Sequence, residues 1–180
     1  DSRFKFTGPT DLASFTQAGI TRLYVSDQES IYVVRHDLAT GTNEVREILN
    51  MPGRQWSGLA LDESPLPNFY FADATTGFVY YVQFDQLIQA ENVPGSLQQN
   101  AIPLVPFVRD GSPLDIYDIE IAQNGKRIVA ASARGLAATF MPAVERFEPV
   151  DPILFLKRFG RETRGLLVRA LNGDLFRVLA

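Results

Sequence analysis

The 180-residue chain contains no cysteine, one histidine, one tryptophan and two methionines. Without cysteine it has no disulfide, no thiolate nucleophile and no cysteine-ligated zinc or iron–sulfur centre. The lone histidine, His36, excludes a zinc site built on several histidines. It alternates with Tyr32 and Val34 on one strand face, as a packed or edge residue does. No Gly-x-Ser-x-Gly elbow seats a nucleophile for a Ser–His–acid triad. No Gly-x-Gly-x-x-Gly or Walker-type loop is present to cradle a nucleotide, so no motif calls for a cofactor. Apolar runs fall well short of the roughly 18–20 residues that cross a bilayer. The first residues lack the basic and apolar regions of a signal peptide, and the chain opens on Asp1, which reads as a processed mature form or a piece of a longer polypeptide. Seventeen basic against 21 acidic residues give a net charge of −4, with no attraction for phosphate backbones or anionic lipid. The expectation is therefore no nucleic-acid partner and no membrane insertion. The absence of cysteine leans toward a periplasmic or secreted setting.

What is present is β-sheet patterning. Hydrophobic residues make up 46% and aromatics 11% of the chain, enough for one well-buried domain spanning 1–180. Leu23-Tyr-Val-Ser-Asp27 followed by Ile31-Tyr-Val-Val recurs 46 residues later as Phe69-Tyr-Phe-Ala-Asp73 followed by Phe78-Val-Tyr-Tyr. Asn124-Gly125 and Asn172-Gly173 stand 48 residues apart in a second matching pair. Such a period, with strand-like runs bounded by Gly, Pro, Asn and Asp, predicts an all-β β-propeller of about 3.5 to 4 four-stranded blades. The blades fall near 9–50, 56–110, 116–156 and 164–180, the third ending in a ragged outer strand within Arg146–Leu156. Residues 86–100 are an insertion, with a short helix near Asp85–Glu91, expected at the rim. Two architectures fit: a fragment of a larger ring of six to eight blades, or a closed four-bladed ring. In the closed ring Ile153–Phe159 is the last inner strand and Arg3–Phe6 the closing outer one.

Trp56-Ser-Gly-Leu-Ala-Leu-Asp62, Asn68-Phe-Tyr-Phe-Ala-Asp73 and Gly77-Phe-Val-Tyr-Tyr-Val82 resemble the blade pattern of the NHL and gluconolactonase (regucalcin-like) superfamily, and Pro113–Ala122 is similar in placement. The resemblance implies a propeller. In lactonases of that type it also implies a divalent cation at the central channel, held by residues at the starts of inner strands. The equivalent positions here are Asp11, Gly58, Asp118 and Arg164.

Asp118 and Glu120 alternate with Ile119 and Ile121, so both carboxylates face one side of an inner strand. Asp11, Asp118 and Glu120, with Asp115 nearby, form a candidate oxygen-rich site for a hard cation such as calcium; pairing with backbone amides or arginine is the structural alternative. Asp27 and Asp73, at matching strand ends, read as turn formers. Trp56, Asp115 and Arg164 are candidates for a ligand or partner face. Trp56, Tyr70, Tyr80 and Tyr81 form either an aromatic ligand face or blade-to-blade packing. Lys157–Arg164 is a docking patch or a solvated loop. The leading expectation is a non-enzymatic interaction or structural module with a protein partner, as in a subunit of an extracytoplasmic assembly. One alternative is a metal-dependent lactonase-type hydrolase in which Asp11, Asp118 and Glu120 hold the cation and activate water. Another is a carbohydrate-binding propeller taking a small-molecule or glycan ligand on Trp56 and the tyrosines.

Overall fold

The computed structural model describes residues 4–109, 112–122, 127–132, 135–140, 147–149, 166–169 and 175–178. The Asn-Gly pairs, Ile153–Phe159 and the basic stretch with Arg164 lie outside the described residues. The chain is all-β in character, organised as antiparallel sheets.

The first sheet is a meander of β1 (Pro9–Gln17), β2 (Ile20–Asp27), β3 (Ser30–Asp37) and β4 (Asn43–Asn50), and the second repeats it with β5 (Trp56–Leu61), β6 (Phe69–Asp73), β7 (Phe78–Val82) and β8 (Ile102–Pro106). Short polar turns between β-branched and aromatic runs leave sequential strands no partner but each other. The repeat extends to the register. Leu12, Val25, Tyr32 and Glu47 stand abreast in the first sheet as Leu59, Phe71, Tyr80 and Pro103 do in the second. The register also slips at the same place in each outer pair, next to Ile48 and Leu104, both 1% exposed. A small hairpin, β9 (Val108–Arg109) and β10 (Ser112–Pro113), leads to the third sheet of β11 (Ile116–Ala122), β12 (Arg127–Ser132) and β13 (Gly135–Phe140).

Two apolar cores follow from the period-two alternation of the second sheet. Leu59, Phe69, Phe71, Tyr80 and Val82 face the first sheet and meet Tyr24, Ile31, Val33 and Leu49. Ala60, Tyr70, Ala72, Val79 and Leu104 face the other way and meet Ile116, Ile119, Ile121, Ile128 and Ala130 of the third. The second sheet is thus covered on both faces. At about 1.5–3 kcal/mol for each large apolar side chain buried, these two layers supply most of the favourable burial in the described part of the chain.

Two glycines make the stacking possible. A Cβ on Gly58 would lie 2.7 Å from the Ile119 amide nitrogen and 2.9 Å from the Asp118 carbonyl carbon, so only glycine allows β5 to approach β11 this closely. Gly77 combines a φ of +70° with a would-be Cβ 2.5 Å from the Phe107 carbonyl oxygen.

Several expectations are corrected. Of Arg146–Leu156, where the outer strand of the third blade is expected, only residues 147–149 are described, and the rest of that expectation lies outside the described residues. β14 (Phe147–Pro149) pairs instead with β16 (Leu175–Val178), which also pairs with β15 (Leu166–Arg169). The proposed closing strand fails too: residues 4–6 are not a strand, and the rings of Phe4 and Phe6 pack 5.0 and 5.7 Å from Tyr32 on the first sheet's own outer face. Aromatic stacking on an open apolar face is the nearest place for these side chains to leave water.

The insertion holds two helices, α1 (Phe84–Ala90) and α2 (Ser96–Asn100), the second not anticipated. It is no loose rim loop. Leu87, Ala90, Leu97 and Ala101 enter the core between the first two sheets, and Glu91, just past α1, is 2% exposed. Its carboxylate accepts from Arg22 Nε at 2.9 and 3.1 Å and from Tyr24 Oη at 2.7 Å, while its backbone carbonyl accepts from Arg46 Nη1 at 2.7 Å. Burial first, then the Glu91 charge, drives the Tyr24 phenol far above its usual pKa.

Candidate functional site

The three inner strands share a local irregularity. β1 shifts register between Pro9 and Asp11, β5 between Trp56 and Leu59, and β11 between Ile116 and Asp118. A bulge at each point re-aims the extra side chain. The residues concerned, Thr10, Ser57 and Tyr117, all line one cavity of about 300 Å³ at the ends of the inner strands, together with Gln55, Ala74, Asp115 and Ile116. Three successive sheets therefore send equivalent positions to one place.

Thr10 is committed to structure: its hydroxyl donates to the Trp56 carbonyl at 2.8 Å and lies 2.8 Å from the Ser26 hydroxyl, joining the first sheet to the second. Ser57 is different. It is 4% exposed, and its hydroxyl has no hydrogen-bond partner among the described residues. Tyr117 is 53% exposed at the rim. Gln55 and Asp115 are also exposed.

Asp11 and Asp118 occupy the next position along their strands and come together, as expected for the channel. The Asp11 carboxylate accepts from the Leu59 amide at 2.6 Å and the Leu12 amide at 2.7 Å. Its pKa is nonetheless raised, chiefly by burial, with the neighbouring Asp118 adding to the rise against those two amide bonds. Glu120 does not complete the expected trio. It shares a strand face with Asp118 but lies two residues further along β11, exposed and across from Val129, and no group of three or more His, Cys, Asp and Glu side chains suited to a metal ion occurs among the described residues. Asp11 acts as a stitch between inner strands, the backbone-amide role named as the structural alternative.

Trp56 is not part of a ligand face. It is fully buried between the first two sheets, edge-on to Phe71 and Tyr80, and its indole N–H donates to the Glu29 carbonyl at 2.9 Å. Tyr70 and Tyr80 are buried as well, and half-buried Tyr81 packs on the second core, so these aromatics serve sheet packing. Asp115 does reach the cavity, and Arg164 lies outside the described residues.

The paired Asp27 and Asp73 diverge in detail. Asp73 is the turn former expected: it is fully buried, accepts from the Thr75 amide at 2.9 Å and the Thr76 hydroxyl at 2.6 Å, and pairs with Arg54. Asp27 instead holds the incoming chain, accepting from the Thr7 amide at 2.8 Å and the Gly8 amide at 2.6 Å.

Gln55, Ser57 and Tyr117 were missed as site residues in the sequence. The signal lay in the inner strands, where Thr10-Asp11, Ser57-Gly58 and Tyr117-Asp118 occupy the same place.

No helix among the described residues is long and apolar enough to cross a membrane. No protein family and no curated protein matches the sequence. Among solved structures, the chain is similar to the extracellular domain of a putative one-component system from B. thetaiotaomicron, at 15% identity with a TM-score of 0.43; the match covers 92% of this chain and 19% of that one.

Proposed function

We propose that the chain is a segment of a β-propeller of the NHL-like kind, acting as a non-enzymatic interaction module that meets its protein partner through the outer face of its first sheet. One observation carries the reading. By register, the first sheet's outer face, with Leu12, Val25 and Tyr32, is equivalent to the second sheet's face of Leu59, Phe71 and Tyr80. In the second sheet that face is packed against a neighbouring sheet, and Leu59 is 4% exposed. In the first sheet Val25 is 5% exposed, but Leu12 is 60% and Phe4 48% exposed, and among the described residues only the rings of Phe4 and Phe6 lean on Tyr32. A face patterned for burial that leaves Leu12 and Phe4 in water favours association. The fitting partner is another four-stranded sheet of the same kind, offering small and aromatic side chains where the first sheet offers Ala13, Tyr24 and Val33 to the second. Sedimentation velocity over a concentration series tests this. Association that Leu12→Glu abolishes is the expected result, and a monomer at every concentration, indifferent to Leu12→Glu, would overturn it.

A further inference from the structure

The cavity at the ends of the inner strands is used by nothing described so far, and its lining is chemically selective. Ser57 is the key residue: a buried hydroxyl without a partner is costly, and such groups in folded proteins generally meet a partner. Gln55, Asp115 and Tyr117 make no side-chain hydrogen bond or ion pair among the described residues, so four polar groups around one space of about 300 Å³ are uncommitted. That volume is at the lower end of ligand pockets, which run from roughly 300 to 1,000 Å³.

The donor and acceptor inventory narrows the occupant. Gln55, Ser57 and Tyr117 each offer both donor and acceptor, and Asp115 accepts. A ligand hydroxyl, itself donor and acceptor, matches that mixture. An anion would meet Asp115 with no basic side chain among the described lining residues to compensate. A hard cation would need more carboxylate than one Asp and would leave the amide and phenol protons idle. The exposed Tyr117 ring offers a flat apolar surface at the rim.

We propose that this cavity binds a neutral polyhydroxylated ligand the size of a single sugar ring, its hydroxyl groups met by Gln55, Ser57 and Asp115 and its apolar face by Tyr117. The site is built from three adjacent inner strands and depends neither on the ring closing nor on the outer face of the first sheet.

The test is a two-dimensional amide NMR titration of the whole chain with glucose, galactose, mannose and their common disaccharides, with calcium chloride as a separate arm. The expected result is saturable shifts of the Ser57, Asp115 and Tyr117 amides by at least one sugar, with a Kd of about 1 mM or tighter. Tyr117→Ala, at an exposed position, weakens that binding about tenfold, and Ser57→Ala does the same with the spectrum otherwise native. Leu38→Ser, at the exposed opposite end of the first sheet, leaves it unchanged. Sugars that shift none of these amides, a response to calcium alone, or sugar binding that survives both cavity variants would each overturn the proposal.

Discussion

The first and second sheets share strand order, register and even the place where the outer pair slips, yet they live in different surroundings. The second is covered on both sides and carries two aromatic-rich faces. The first is covered on one side, and its other face mixes Leu12, Leu23, Tyr32 and Val34 with Ser14, Thr21, His36 and Glu47. Strand pairing is set by local pattern, whereas burial is set by neighbours, so the same repeat yields a core sheet in one place and an end sheet in the other. The helical insertion adds to the asymmetry: it springs from the second sheet, and Glu91 fastens it to Arg22 and Tyr24 of the first.

That fastening gives the largest expected effect. Glu91→Ala strands Arg22 in a buried site and should lower stability by about 4 kcal/mol in urea unfolding, whereas Glu44→Ala, which removes solvent-exposed pairs with Arg46 and Arg35, should cost less than about 1 kcal/mol. Similar costs for both would mean the insertion is not locked to the first sheet. Next comes the close approach of β5 and β11: Gly58→Ala should cost about 3 kcal/mol because the obstructing atoms are backbone, read by thermal or chemical unfolding. A neutral outcome would show that the second and third sheets are further apart than described.

The matched aspartates sharpen the contrast at a smaller scale. Asp73→Ala removes acceptors inside a buried turn and leaves Arg54 unpaired, for a global loss of about 2 kcal/mol. Asp27→Ala should act locally, speeding hydrogen exchange at the Thr7 and Gly8 amides while the β6 amides keep their protection. The smallest effect is a titration. Burial, aided by Asp118, lifts the Asp11 carboxyl above its usual 3.8, so the native state holds that proton more tightly than the unfolded chain. Its contribution to stability is therefore full below pH 3.8 and declines as pH rises through the raised value. Asp118→Asn should move the carboxyl resonance of Asp11 to titrate at lower pH, and an unmoved titration would separate the two side chains.

Much of the sheet order was legible because hairpins are local: the Leu23–Asp27 and Phe69–Asp73 repeats put strands where the structure has them. The pairing of β14 was not, since its partner strand lies almost 30 residues away and no local turn marks that choice. For the site, the alternation of Asp118 and Glu120 identified a shared strand face, and Asp118 does meet Asp11; Glu120, two residues further along β11, stands across from Val129 and is exposed. Bulges depend on pairing geometry and leave no composition signal, which is why Asp115 was found and Ser57 and Tyr117 were not. Trp56 was read both as a ligand surface and as packing; its burial depends on the second sheet lying against the first, a long-range fact.

The central claim is that two sheets of one register differ in burial, with the second enclosed and the first open on its outer face. Leu12 and Leu59 hold the equivalent position in each, at 60% and 4% exposure. Equilibrium unfolding of Leu59→Ala and Leu12→Ala measured side by side tests the claim most directly. Leu59→Ala should cost about 3 kcal/mol and Leu12→Ala less than about 0.5 kcal/mol, and equal costs at the two positions would contradict it.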